Sequence, residues 1–211
     1  MNVKKILFIA PRNPYSKGFS GDKIRAVNII SHLNKKIKVD VIYNDNKTIK
    51  KNSKNHIVFR KSNIFLKLIY IFISLIKMMP MQNGFFYSSK IKKFVDLNYK
   101  NYDIIICHLI RSVQYIPEAF KGKKILEMTD TFSSNYKQTI KTMSIFNPLA
   151  IIYYLEKILV KKYEKFCLEF FDKIILVSKK EFLKSLNLKK SKKLYEVANG
   201  VKIQKKKFKF K

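Results

Sequence analysis

Lys4-Lys5-Ile6-Leu7-Phe8-Ile9-Ala10-Pro11 opens the chain as a short apolar strand stopped by proline, and Leu194-Tyr195-Glu196-Val197 closes it as another, running into Asn199-Gly200-Val201. Between these two stretches, apolar runs alternate with helical periodicities. Ile37–Tyr43 alternates Ile37, Val39, Val41 and Tyr43, and Ile57–Phe59, Asp103–Cys107, Lys124–Met128 and Lys173–Val177 read as further strands. Helices are expected over Gly21–Asn34, where Ile24, Val27, Ile30 and Leu33 share a face, and over Ser88–Leu97, Leu149–Phe170 and Lys179–Leu186. Val113–Phe120 reads as a helical turn or two. Strands apolar on both faces that alternate with helices specify an α/β fold, a Rossmann-like parallel sheet flanked by helices. Ligands of such sheets bind beyond the carboxyl ends of the strands, so the loops after Ala10, Cys107, Met128 and Val177 are where a site is expected.

The 211 residues suffice for one large domain with a real core, expected over 1–201, while 202–211 is a basic tail too short and too charged to fold. The chain carries 45 basic against 14 acidic side chains, formally +31. Such a charge raises nucleic acid first, but arginine, the side chain that forks onto phosphates and guanines, stands only at Arg12, Arg25, Arg60 and Arg111. The lysines are spread along the whole chain, and no nucleic-acid recognition motif accompanies them. Two readings of the charge are kept: a compositional excess at solvated positions, and a field that draws the protein to an anionic membrane surface. Cys107 and Cys167 lie in apolar runs, which fits buried thiols in a reducing cytoplasm. Ile6–Ala10 is too short for the apolar region of an export signal.

Ile64–Met81 (IFLKLIYIFISLIKMMPM) is strongly apolar, yet it is too short to span a bilayer, broken by lysines and ended by Pro80. It reads either as a buried or partly exposed helix, or as one lying in a membrane interface with its apolar face down.

Three regions at the expected ligand edge carry chemistry. Gly18-Phe19-Ser20-Gly21-Asp22-Lys23-Ile24-Arg25 places glycines and a helix N-terminus after the first strand, as a tight turn or as a close approach to an anion. Ser20 is the expected N-cap, and Asp22 suits the helix dipole. The segment matches neither a P-loop nor GxGxxG. His108 follows the fourth strand with Arg111 three residues on; it is either a structural histidine or a donor to a substrate hydroxyl or phosphate. Glu127-Met128-Thr129-Asp130-Thr131-Phe132-Ser133 ends the fifth strand with two carboxylates, of which Asp130 can cap the next segment or accept from a sugar hydroxyl as a base. No HExxH, His/Cys ligand spacing or GxSxG occurs, so metal and serine-hydrolase chemistry have no support.

Read in order, these pieces resemble the N-terminal half of family 4 glycosyltransferases of the GT-B fold, nearest to those that build bacterial exopolysaccharide and surface glycans. The matching residues are Ile6–Pro14, Gly21-Asp22-Lys23-Ile24-Arg25, Met79-Pro80 with Phe86-Tyr87-Ser88, and Leu126–Asp130 with Ser133. The pattern continues through Tyr154-Leu155-Glu156 to Tyr163-Glu164, then Ile175–Ser178 with Glu181, and ends at Asn199-Gly200-Val201. The resemblance implies an acceptor-side domain, facing a second Rossmann-like domain that binds a nucleotide-sugar donor. Transfer to a glycan or lipid-linked acceptor would retain the anomeric configuration without a metal or other cofactor. It also implies that Gly21, with Lys23 or Arg25, faces the donor phosphates and that Asp130 lies near the transferred sugar or the acceptor. Where many members carry a histidine after the fifth strand, this chain has Thr129-Asp130. The expected protein is thus the front half of a two-domain enzyme, inactive alone, cytoplasmic and peripheral on the inner membrane face, with the donor domain supplied by a separate chain; the alternative is a non-enzymatic basic module on an anionic membrane.

Overall fold

A computed structural model describes residues 5–18, 20–46, 55–144 and 146–199. Gly200, Val201, the 202–211 tail, Phe19 of the glycine loop and most of the lysine-rich connection before the third strand lie outside the described residues. Strands β1 (Lys5–Ile9), β2 (Lys38–Asp45), β3 (His56–Arg60), β4 (Ile104–His108), β5 (Lys123–Glu127), β6 (Lys173–Leu176) and β7 (Leu194–Glu196) form one sheet. Its order is β3-β2-β1-β4-β5-β6-β7, and every neighbouring pair is parallel. The fold is therefore the Rossmann-like parallel α/β sheet that the alternation predicts. The order reverses between β1 and β4, which puts the ligand crevice at their carboxyl ends.

Each central strand buries both faces. Ile6 and Phe8 of β1 join Val39, Val41 and Ile106 under helix α1 (Gly21–Leu33), whose Ala26 and Ile30 close that layer. Leu7 and Ile9 face the opposite side with Ile42, Ile105, Cys107 and Leu126. That second layer is covered by α4 (Ser89–Asn98), α6 (Leu149–Phe170) and α7 (Lys179–Ser185) through Ile91, Val95, Val160, Cys167 and Phe182. Burying one such side chain contributes roughly 1.5–3 kcal/mol, so these two layers supply the main driving force for folding.

The structure corrects several expectations. The apolar run from Ile64 forms a helix that stops short of Pro80: α2 (Ile64–Ile76) ends where Met78 takes φ 53°, and a short helix α3 (Met81–Phe86), not expected from the sequence, follows Pro80. The expected helix within Val113–Phe120 is a 3₁₀ segment at Ile110–Tyr115. Helix α5 (Phe132–Thr142) is absent from the sequence reading: its stripe of Phe132, Tyr136 and Ile140 is thin within a polar sequence, and only Ser133 is buried. Ser20 stands at the N-cap position of α1 but makes no capping bond there; its hydroxyl goes to the Asp22 carboxylate instead.

Two glutamates on the buried face of α6 hold this layer together. Glu156 accepts from the backbone N–H groups of Met81 (2.7 Å) and Gln82 (3.1 Å), fastening the start of α3. Glu164 accepts from the backbone N–H (3.2 Å) and hydroxyl (2.5 Å) of Ser133, fastening the start of α5. Helix α3 in turn carries α2: a Cβ at Gly84 would lie 2.3 Å from the Tyr70 carbonyl oxygen, so glycine is what lets the two backbones meet.

Burial pushes the Glu164 carboxyl up to about 7, against the Ser133 hydrogen bonds that lower it. Its ordinary value is 4.5, so between 4.5 and about 7 the folded protein holds a proton that the unfolded chain has released. The stability contributed by this group is thus fully present below the lower value and is lost as pH rises through the upper one. Between about pH 5 and about pH 8 the Tm of the wild type is expected to decline more steeply than that of Glu164→Gln, which keeps an acceptor for Ser133 but has no charge to desolvate. Parallel thermal melts of the two proteins across that range check it; equal slopes contradict it.

Candidate functional site at the carboxyl edge of the sheet

β4 and β5 pair in register so that His108 and Glu127 stand side by side as the last residues of their strands. Both are buried, as is Arg25, which α1 delivers from above the same edge. The Glu127 carboxylate accepts from Arg25 Nε on one oxygen and bonds His108 Nδ1 on the other. Arg25 Nη1 continues outward, donating to the Val197 carbonyl (2.9 Å) and to Asn199 Oδ1 (2.9 Å) beyond β7. One carboxylate thus joins α1, the β4–β5 pair and the segment leaving the last strand.

The His108 ring stacks on Phe8 with centroids 5.9 Å apart. With Nδ1 turned to a carboxylate, it carries its proton there, and Nε2 is the face left for a ligand. Nε2 is buried and has no hydrogen-bond partner among the described residues, a condition that ordinarily calls for an occupant. Directly after His108, Leu109 adopts φ 64° and ψ 156°, a conformation costly for a branched side chain and one that gathers at functional edges. Its backbone N–H donates to the Glu127 carbonyl (2.7 Å), which holds the turn in place.

Beside this cluster lies a recess of ≈ 300 Å³ lined by Arg12, Gly21, Asp22, Leu109, Arg111, Thr129, Asp130, Phe132 and Asn135. Its walls are the loops after β1, β4 and β5, three of the four loops marked out in the sequence. Arg12 donates to Asp22 Oδ2 at 2.6 Å. Burial pushes the Asp22 carboxyl up, but the Arg12 bond and charge, His108 and the Lys23 backbone N–H outweigh it and hold it below its ordinary value. Arg111 is clamped: Nε donates to Gln82 Oε1 (2.7 Å), and its guanidinium lies over the rings of Phe86 (4.5 Å) and Phe132 (5.4 Å). Burial, then the like charge of Arg12, lowers its pKa, yet a guanidinium remains charged at any physiological pH. The recess therefore presents cationic forks beside acceptor carboxylates, an arrangement suited to a ligand with both an anionic group and hydroxyls.

Of the residues singled out in the sequence, Gly21 and Asp130 both line the recess. Asp130 is exposed and makes no cap; the first turn of α5 is satisfied by Glu164 instead. Arg25 reaches the site from behind, with its guanidinium committed to Glu127, Val197 and Asn199. Lys23 points away, its amino group 3.4 Å from the Lys17 carbonyl. The parts of the site that the sequence did not announce are the Arg111 clamp and the buried carboxylates behind it. A signal for the latter was present: Glu156 and Glu164 fall on the same helical face as Leu159, Val160 and Tyr163. Among the described residues, no group of three His, Cys, Asp or Glu is placed to hold a metal ion.

The arrangement defines a parallel α/β protein with a polar site at its topological switch point. No protein-family model matches the chain, and no curated protein matches it. Among solved structures it is similar to that of Phytolacca americana UGT2 complexed with UDP-2fluoro-glucose and pterostilbene, at a TM-score of 0.48 and 12% identity. The match covers 94% of this chain and 54% of that one, so the chain spans about half the length of that protein.

Removing the Glu127 side chain leaves the buried Arg25 charge and His108 Nδ1 unpaired. Glu127→Ala is expected to cost about 3–5 kcal/mol, and Glu127→Gln, which keeps an acceptor, distinctly less. Urea unfolding of both variants checks this ranking; an alanine variant as stable as wild type contradicts it.

Proposed function

We propose that this chain is the acceptor-side half of a GT-B glycosyltransferase of the family 4 type, acting in the assembly of bacterial surface glycans. The observation that carries the reading is His108 Nε2, buried and unpartnered at the switch point, beside a recess that holds Asp130 and the Arg12 and Arg111 guanidinium groups. In this reading Asp130, on the recess wall, accepts the proton of a sugar hydroxyl or orients it, and His108 is the second acceptor, buried behind Leu109. An anionic group of the same ligand pair fits against Arg111 and the backbone at Gly21, with Arg25 bracing the edge through Glu127 and Lys23 lending charge nearby.

In this proposal a nucleotide-sugar donor is held by a second Rossmann-like domain that faces this one. The acceptor is a glycan or a lipid-linked glycan, and transfer proceeds with retention and without a metal, on the cytoplasmic side of the membrane. The bounds proposed for the acceptor-side domain are 1–201.

Ligand-observed NMR with a panel of nucleotide-sugars and of glycan and lipid-linked acceptors, paired with a nucleotide-release assay, tests it. Saturable acceptor binding is expected, weakened about tenfold by Asp130→Ala, as for loss of one hydrogen bond to a charged group. Nucleotide release by the chain alone overturns the assignment of donor binding to a second domain. Absence of binding to every sugar ligand overturns the acceptor site.

A further inference from the structure

Helix α2 turns a wide apolar surface outward. Ile64, Phe65, Leu68, Phe72 and Ile76, spaced i, i+1, i+4, i+8 and i+12, form its outer side and are 58% to 68% exposed. The side turned to the protein carries Ser74, the only buried residue of the helix, the half-buried Tyr70 and Ile71, and Lys67, whose amino group lies 4.4 Å from the Phe85 ring centroid. A helix docked on a water-soluble body shows the opposite pattern, polar side out. The local sequence does not leave α2 half-formed: Asn63 caps it by accepting from the Leu66 N–H (2.9 Å), and Tyr70 packs edge-on against Tyr87 at 4.7 Å. It is a formed helix presenting an apolar stripe about 20 Å long to the outside.

Charge identifies what the stripe meets. No aspartate or glutamate occurs between Asp45 and Asp96, while Arg60 and Lys61 precede α2 and Lys77 follows it, all three exposed. Lys77, Lys92 and Lys162 line the groove beneath the C-terminal end of the helix, against one acid, Glu118. A second copy of the chain would bring +31 against +31. An anionic surface neutralises this charge instead, and an apolar stripe ringed by lysines is the pattern of a helix lying in a headgroup layer. Among the described residues no helix is long and apolar enough to cross a membrane, so α2 is suited to lie in that layer and not to span it.

We propose that α2 docks the protein on an anionic lipid bilayer, with Phe65, Leu68, Phe72 and Ile76 entering the headgroup–acyl boundary and Arg60, Lys61 and Lys77 meeting lipid phosphates. This goes beyond glycosyl transfer and does not depend on it. The test is flotation of the full chain with vesicles of phosphatidylcholine alone, or with about one third phosphatidylglycerol, a composition that gives a strongly negative surface. The wild type is expected to float with the anionic vesicles and at least about tenfold less with the neutral ones. Phe65→Ser combined with Phe72→Ser, two exposed positions whose change leaves the circular dichroism and Tm intact, is expected to lower anionic binding about tenfold or more. Equal flotation of wild type and double variant overturns the proposal in favour of charge alone. No flotation of the wild type overturns it too, and a dimer abolished by the same double variant would assign the stripe to a second copy.

Discussion

The Glu127 carboxylate is the constraint on which the rest of the carboxyl edge depends. It is fully buried at the end of β5, where an ionised group is tolerable only if every lone pair is answered. Arg25 answers from α1 and His108 from β4, so the charge fixes the helix against the switch point of the sheet. Arg25 then reaches Val197 and Asn199, which brings the chain's exit from β7 to the same place. A hydrophobic contact would have filled this space without direction. The ion pair instead sets the orientation of the histidine ring and leaves its buried Nε2 without a partner among the described residues.

The walls of the recess rest on two further buried carboxylates at some distance from it. Glu156 fastens the start of α3, whose Gln82 holds the Nε of Arg111 between two aromatic rings. Glu164 fastens the start of α5, whose Phe132 supplies one of those rings and whose preceding loop carries Asp130. The long helix α6 thus positions both sides of the recess with no residue of its own lining it. Satisfying the first N–H groups of each short helix is a structural need, and here it also aligns a binding surface.

Helix α3 has a third duty. On one side it holds the Arg111 clamp, and on the other, through the close approach at Gly84, it supports the outward-facing α2. A protein docked by α2 on a lipid surface would have its recess tied to that surface through a single short helix. A lipid-linked acceptor would profit from that coupling, because its headgroup and the site are then held at a fixed separation.

Much of this architecture was legible in the residues. The positions of all seven strands and of α1, α4, α6 and α7 followed from apolar periodicity, since β-branched runs and helical stripes are properties of short stretches. Helix α5 was not legible, because its apolar stripe of Phe132, Tyr136 and Ile140 is thin and its first turn is held by Glu164, far off along the chain. The short helix α3 was likewise hidden: Pro80 marks the end of the apolar run, but nothing in Met81–Phe86 shows a helical stripe. Local sequence therefore determined the class of fold and the edge at which a site must lie. Which polar groups meet there was decided only by tertiary structure, since Glu127 is 19 residues from His108 and 102 from Arg25 along the chain. The same holds for the facing of α2: its residues dictate a helix, but only its seating on α3 turns the apolar stripe outward, because docking consumes whichever side the neighbouring backbone can approach.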